Sequence, residues 1–395
     1  MISERIKRMT PSATIELEGT VEELKAAGVK VISLNAGEPD FNTPDHIVKA
    51  CEKAIEEGKT RYTSVTGIKQ LRDAICKKLQ RDNNVSYDPS QIVVSTGAKQ
   101  ALDNAVMTIC NPGDEVIIPI PCWVSYVEMV KLAEGIPVLV DTNPENFQLN
   151  LDAIEKAITP KTRAVVINTP NNPTGAVYTE ESLRALGNLA VKHDFYVISD
   201  EVYEKLVYND KKNVCIASLS EEIKEHTILI NGLSKAYAMT GWRIGYSASP
   251  LDIAKGISSL QGHTTSNSTT FVQWAGLEAL SGPSDTIEFM RTKFDERRRY
   301  LLERLNAMPH MTCPNVDGAF YLMPNISYYF GKHYGNRVIN NSVDFCSYLL
   351  EEAKVALVPG SAFEAPNCVR IAYSNSLESI REGMDNMEKV LAKLI

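Results

Sequence analysis

Lys235 stands just beyond an apolar, β-rich run, TILIN from Thr227, within the stretch Gly232-Leu-Ser-Lys-Ala-Tyr-Ala-Met-Thr-Gly-Trp-Arg-Ile-Gly245. A lysine at the end of a buried strand loses the solvation of its charged form, so its free amine becomes a usable nucleophile that condenses with carbonyls. Arg243, eight residues on, offers a guanidinium fork for a phosphate, and the small residues between them let backbone approach it. A lone lysine after a strand ordinarily reads as a surface residue; it is the fourteen-residue pattern that argues otherwise.

Other residues suit the same chemistry. Asp200 ends the run YVISD, which places its carboxylate at the carboxyl edge of a sheet, where open α/β folds bind ligands; taken alone it reads equally as a helix N-cap. Thr96-Gly97-Ala98-Lys99 joins a strand to a helix, so its amides can face a phosphate at the positive helix end, although a plain connecting turn fits too. In isolation NNPTG from Asn171 is a turn, with Pro173 restricting Asn172 and Gly175 relaxing the backbone beyond it. The motifs GxGxxG, GxxxxGK[ST], HExxH and GxSxG are absent, which removes the usual dinucleotide, P-loop, zinc-protease and serine-hydrolase readings.

The elements that must position these groups can be read from pattern. QIVVS, EVIIP, AVVINTP, YVISDE and TILINGL are short apolar β runs, the first three each followed by a segment of helical period, as a parallel sheet with crossover helices requires. This predicts an α/β domain over residues 43–283. After Pro283 come a long charged helix (MRTKFDERRRYLLERL), a hairpin candidate at DGAFYLMP, a helix, a short strand and a terminal helix, which together with residues 1–42 read as a smaller α+β domain, 284–395.

Composition sets the outer bounds. With 395 residues, 44% hydrophobic and 23% charged, the chain is an ordinary globular protein. Its formal charge of -8 is spread in mixed-sign stretches, with no basic stripe for nucleic acid, so small-molecule partners are expected. MISERIKRMT lacks the apolar core of a signal peptide, and no apolar run approaches the ~18–20 residues of a membrane span, so a cytoplasmic location is expected. The eight cysteines form no CxxC pair and read as buried reduced thiols, with no disulfide framework and no metal site.

The lysine segment resembles the signature of class I aminotransferases, fold type I pyridoxal-phosphate enzymes, at every defined position. AGEPDF from Ala36, TRYTSVTGIKQLR from Thr60, TGAKQAL from Thr96, PCWVSY from Pro121, NTPNNPTGAVY from Asn168, SDEVYE from Ser199 and VRIAYS from Val369 resemble the family in the same order. The resemblance implies a large domain with a mostly parallel seven-stranded sheet flanked by helices, a small α+β domain, and pyridoxal 5'-phosphate as cofactor. It makes Lys235 the tether and proton carrier and pairs Asp200 with the pyridine nitrogen. It gives Asn172 and Tyr203 to the phenolic oxygen, and Gly97, Ala98, Lys99, Ser234 and Arg243 to the rest of the cofactor site. Trp123 would stack on the ring, and Tyr62 would reach the phosphate of a neighbouring subunit, which implies a homodimer. A cis bond is implied at Asn172-Pro173 and another before Pro121.

For substrate, the resemblance assigns Arg370 and Gly37 to the α-carboxylate, with Trp123 and Asn172 beside them. Lys99, Ser12 and Thr14 look like the lysine and hydroxyl residues with which bacterial aspartate aminotransferases hold an acidic side chain; a pure phosphate contact is the other reading of Lys99. The implied reaction is a two-stage exchange from L-aspartate to 2-oxoglutarate. Prephenate use, an aromatic aminotransferase and a carbon–sulfur β-lyase are alternatives on the same scaffold, and a ligand-sensing regulator would need a DNA-binding module. Two departures stand out: Cys122 where relatives have an aromatic residue beside the stacking tryptophan, and Gly232 where many have serine.

Overall fold

The computed structural model describes residues 1–395. Seven strands form its main sheet: β1 (Ile92–Ser95), β2 (Glu115–Ile120), β3 (Ile136–Asp141), β4 (Thr162–Asn168), β5 (Tyr196–Asp200), β6 (Thr227–Gly232) and β7 (Gly245–Ala248), in spatial order β1-β7-β6-β5-β4-β2-β3. The strands from β2 to β6 pair in parallel, whereas β7 runs antiparallel to both β1 and β6. Every residue of β1, β5 and β6 but Tyr196 is buried, because helices cover both faces. Val93, Val116, Ile118, Val166 and Ile230 face one helical layer; Ile117, Val165, Ile167 and Val197 face another.

Two of these strands have weak sequence signals. β3 (IPVLVD) is apolar but lies at the sheet edge, half exposed and carrying Pro137, which blurs its reading as a strand. β7 is four residues long and lies at the end of the lysine signature, too short to show a period.

The second lobe is built on the 23-residue helix Asp285–Ala307, the terminal helix Leu377–Leu391 and a three-stranded antiparallel sheet of Val358–Pro359, Val369–Ala372 and Tyr321–Leu322. The expected tight hairpin at DGAFYLMP does not form. Tyr321–Leu322 pairs instead with the distant strand Val369–Ala372, and a single bridge, Thr312 with Asn325, crosses the local loop. Gly318 is engaged elsewhere, its amide donating to Gly175 O at 2.9 Å. The N-terminal segment joins this lobe where Ile32–Ser33 pairs in parallel with Val355–Ala356. Arg297 of the long helix grips Asp40 of AGEPDF with two bonds of 2.7 and 3.0 Å, which fixes that loop over the cleft.

The peptide bonds Ile120-Pro121 and Asn172-Pro173 are cis, and so is Thr169-Pro170, which the resemblance did not imply. All eight cysteines are unpaired. No helix is long and apolar enough to cross a membrane.

Candidate active site

A cavity of about 380 Å³ opens between the lobes at the carboxyl ends of the central strands. Three strand ends lie at or beneath its floor: Asn168 ends β4, Asp200 ends β5 and Gly232 ends β6, and Lys235 follows three residues later. Lys235 donates through Nζ to the carbonyl of Gly37, and that nitrogen sits 5.7 and 5.6 Å from the ring centres of Tyr203 and Phe320. Burial, reinforced by Arg370, pushes its ammonium down to about 8, with Glu38 pulling the other way.

Asp200 is buried, and burial pushes its carboxyl up to about 6 even though two donors favour the charged form. Those donors are Tyr126 Oη at 2.7 Å and the Val202 amide at 3.3 Å.

The opposite end of the cavity suits an anion. Gly97 takes a left-handed φ of 83° ahead of the helix Ala98–Ile109, whose first-turn amides have no partner within the helix. A Cβ on Gly97 would stand 2.6 Å from Arg243 Nη2, and one on Gly245 2.6 Å from the Gly97 carbonyl carbon, so both glycines are needed for the close approach. Arg243 is held by a 2.8 Å bond to Thr240 O, and buried Ser234 also lines the cavity. Lys99 lies nearby; burial and then Arg243 lower its pKa, and its Nζ is 4.8 Å from the centre of the Trp123 ring. The Arg243 guanidinium and a helix N-terminus within one pocket fit a phosphate, and Lys99 adds a second cation beside them for a further anion.

The remaining wall comes from six more segments, which carry Arg370, Asn172, Asn35, Tyr321, Tyr203 and Thr14. Arg370 donates to Asn172 Oδ1 at 3.0 Å and to Asn35 O at 2.8 Å, while its buried Nε has no protein partner. Its guanidinium is held between the rings of Tyr321, 4.5 Å away, and Phe363, 4.9 Å away. Tyr203 and Tyr321 share a 2.9 Å hydroxyl contact. Thr14 lines the cavity from the N-terminal helix Ala13–Ala26, and Ser12, one step back from the wall, bonds Thr14 at 3.0 Å.

A family model described as "Aminotransferase class I and II" matches residues 29–386. The chain belongs to that family. The aspartate aminotransferases of Geobacillus stearothermophilus and Bacillus subtilis are each 46% identical to it, covering 99% of this chain and 98% and 99% of theirs. An aspartate/prephenate aminotransferase of Cereibacter sphaeroides is 44% identical over 100% of this chain and 99% of its own. Among solved structures, the Thermus thermophilus aspartate aminotransferase with maleate is similar at TM-score 0.93 and 41% identity, covering 99% of both chains. The Rhizobium meliloti aspartate aminotransferase is similar at 0.96 and 39% over the full length of both.

In this aminotransferase three expected site residues lie outside the cavity wall: Ser12 and Gly97 stand directly behind it, and the third is remote. Tyr62 is 89% exposed on the chain's surface. The two departures also read differently in three dimensions. Cys122 does not shape the pocket: its side chain is buried in the core beneath the sheet, its amide donates to Phe363 O, and burial pushes its thiol up to about 12. Gly232 sits where a Cβ would meet Ile244 O at 3.3 Å and Ala98 at 3.5 Å, a tight fit behind the phosphate pocket.

Residues with no role assigned from sequence also line the cavity: Asn35, Glu38, Tyr126 and Tyr321. Tyr126 lies within PCWVSY, but its partner Asp200 is 74 residues away and no spacing rule connects them. Tyr321 was concealed by the hairpin reading of DGAFYLMP.

Proposed function

We propose that this aminotransferase binds pyridoxal 5'-phosphate and transfers the amino group of L-aspartate to 2-oxoglutarate, leaving oxaloacetate and L-glutamate. The observation that carries the reading is that Lys235, Asp200, Arg370 and Lys99 open onto one cavity whose far end suits a phosphate. When bound, the cofactor supplies a carbonyl that condenses with amines and a protonated ring that withdraws electrons from the substrate Cα.

The chain's own residues supply everything else. Arg243, Ser234 and the amides of Gly97, Ala98 and Lys99 hold the phosphate. Asp200 keeps a proton on the pyridine nitrogen, and Trp123 lies against the ring. Tyr203 and Asn172 donate to the phenolic oxygen; Asn172 has its Nδ2 free to do so because its Oδ1 is taken by Arg370. Lys235 Nζ moves the proton from Cα, a task suited to an amine whose pKa lies near 8. Arg370, with the backbone at Gly37, orients the α-carboxylate. Lys99, Thr14 and Ser12 receive the second carboxylate.

The working unit is read as a homodimer, with Tyr62 reaching the neighbouring subunit's phosphate; an aromatic ring that is 89% exposed supports this. The large domain is taken as residues 43–283 and the small one as 1–42 with 284–395. Eight unpaired thiols fit a reducing compartment such as the cytoplasm.

The test is the visible absorption of the purified, cofactor-loaded protein. Addition of aspartate should bleach the band while phenylalanine leaves it, and oxaloacetate should accumulate. Bleaching by phenylalanine alone, or pyruvate and ammonia from cystathionine, would replace the reading with an aromatic aminotransferase or a β-lyase. Relatives named aspartate/prephenate aminotransferase at 44% identity favour testing prephenate as a second acceptor in the same assay.

A further inference from the structure

We propose that Tyr321 is a positioning residue that fixes the Tyr203 hydroxyl and the Arg370 guanidinium together, so that the seat of the substrate carboxylate and the donor to the cofactor's phenolic oxygen are set by one side chain. The proposal rests on the roles proposed for Tyr203 and Arg370 under the aminotransferase reading.

Tyr321 stands where three parts of the chain meet. It begins the short strand Tyr321–Leu322 of the small lobe and pairs with Ala372, two residues from Arg370 on the facing strand. Its ring is fully buried and lies 4.5 Å from the Arg370 guanidinium, a cation–π contact within a desolvated pocket. Its hydroxyl crosses to the large lobe and meets Tyr203 Oη at 2.9 Å, with the two rings edge-on at 79°. The N-terminal segment closes the third side: a Cβ on Gly37 would lie 3.4 Å from Tyr321 Oη.

Proton counting gives the bond its direction. Each phenol has one hydrogen to donate. Once Tyr203 commits its hydrogen to the phenolic oxygen, its own oxygen can only accept, so Tyr321 must be the donor. A phenol that accepts such a bond is itself a better donor, because chained hydrogen bonds polarise one another. The ring beneath Arg370 and the hydroxyl on Tyr203 are therefore separable jobs. The charged groups facing the pair are Arg370, Asp200, Lys235 and, beside Lys235, Glu38, and none is removed when Tyr321 is changed.

The experiment uses cofactor-loaded wild type, Tyr321→Phe and Tyr321→Leu. Two quantities are read: the pH midpoint at which the bound cofactor's visible absorption changes, and the Kd of maleate, an unreactive dicarboxylate. Tyr321→Phe should raise the midpoint by ~0.5–1 unit, the worth of one hydrogen bond, and leave the maleate Kd within about twofold. Tyr321→Leu should raise the midpoint equally and also weaken maleate by about 3- to 30-fold, as loss of the cation–π contact requires. Should Tyr321→Leu fail to fold, the pair Tyr203→Phe and Tyr203→Phe/Tyr321→Phe decides: the second change should shift the midpoint no further. An unmoved midpoint in Tyr321→Phe, or additive shifts in the double variant, would overturn the proposal. A wild-type protein with no cofactor band would overturn the underlying reading, and the proposal with it.

Discussion

Tyr126 Oη donates to Asp200 Oδ2 across 2.7 Å, which ties the carboxylate at the end of β5 to the helix Ser125–Leu132 that follows β2. Together with the Val202 amide this bond favours the carboxylate form, yet burial still pushes the group up to about 6. The cofactor-free protein therefore binds this proton more tightly than the unfolded chain does.

The sign of that shift carries a stability prediction. The contribution of Asp200 is fully present below the unfolded carboxylate value of ~3.9 and is lost as pH rises through about 6. Asp200→Asn should abolish turnover but make the cofactor-free protein more stable than wild type at pH 8, by about 2–3 kcal/mol, with the difference shrinking to about 1 kcal/mol at pH 4.5. Urea unfolding at the two pH values measures this. Glu201, fully buried and pushed up to about 8 by burial and then by Glu204, is common to both proteins and cancels in the comparison.

Lys235 should react as an amine of pKa near 8. At pH 7.5 its neutral fraction is on the order of a hundred-fold larger than that of a surface lysine of pKa ~10.4. Borohydride trapping of pyridoxal phosphate on the cofactor-free protein, followed by peptide mapping, should label Lys235 far ahead of the other lysines. Labelling spread evenly over surface lysines would count against the site.

The two carboxylate receptors proposed above, Arg370 and Lys99, should separate in kinetics. Arg370→Lys loses the planar fork and should lower kcat/KM for every amino acid by about 10²- to 10⁴-fold, the worth of two charged hydrogen bonds. Lys99→Ala should lower kcat/KM for aspartate by about 10- to 100-fold while leaving a neutral amino acid nearly unchanged. If Lys99→Ala slows both substrates alike, Lys99 serves the phosphate alone.

Gly245→Ala probes the phosphate pocket through packing. The new methyl would press on the turn at Gly97–Ala98 from only 2.6 Å. Moving that turn displaces the helix N-terminus, so cofactor affinity should fall at least ten-fold, more than any loss of global stability accounts for. Fluorescence titration with pyridoxal phosphate alongside thermal unfolding distinguishes the two.

Much of the fold was readable because buried parallel strands spell out their own apolar runs, as QIVVS, AVVINTP and TILINGL do. β7 was not, being only four residues long, and β3 spells an apolar run, IPVLV, that its proline and its half-exposed place at the edge make ambiguous. In the site, Lys235, Asp200 and the Gly97 turn announce themselves through local chemistry next to a strand end. Tyr126 and Tyr321 do not, because their value lies in partners 74 and 118 residues away, Asp200 and Tyr203, and a tyrosine beside apolar residues looks like core until the chain is folded. Cys122 shows the converse: a residue that looked like part of the pocket points into the core instead.

The parallel pairing of Ile32–Ser33 with Val355–Ala356 joins the two ends of the chain beside the cavity. Arg370 rests on the carbonyl of Asn35, so its orientation depends on a segment made at the start of synthesis meeting one made near its end. A chain ending shortly before residue 355 would lack Arg370 itself, the strand against which Ile32–Ser33 is laid and the partner of Tyr321–Leu322, so both ends of the polypeptide must be present for this wall of the cavity to exist.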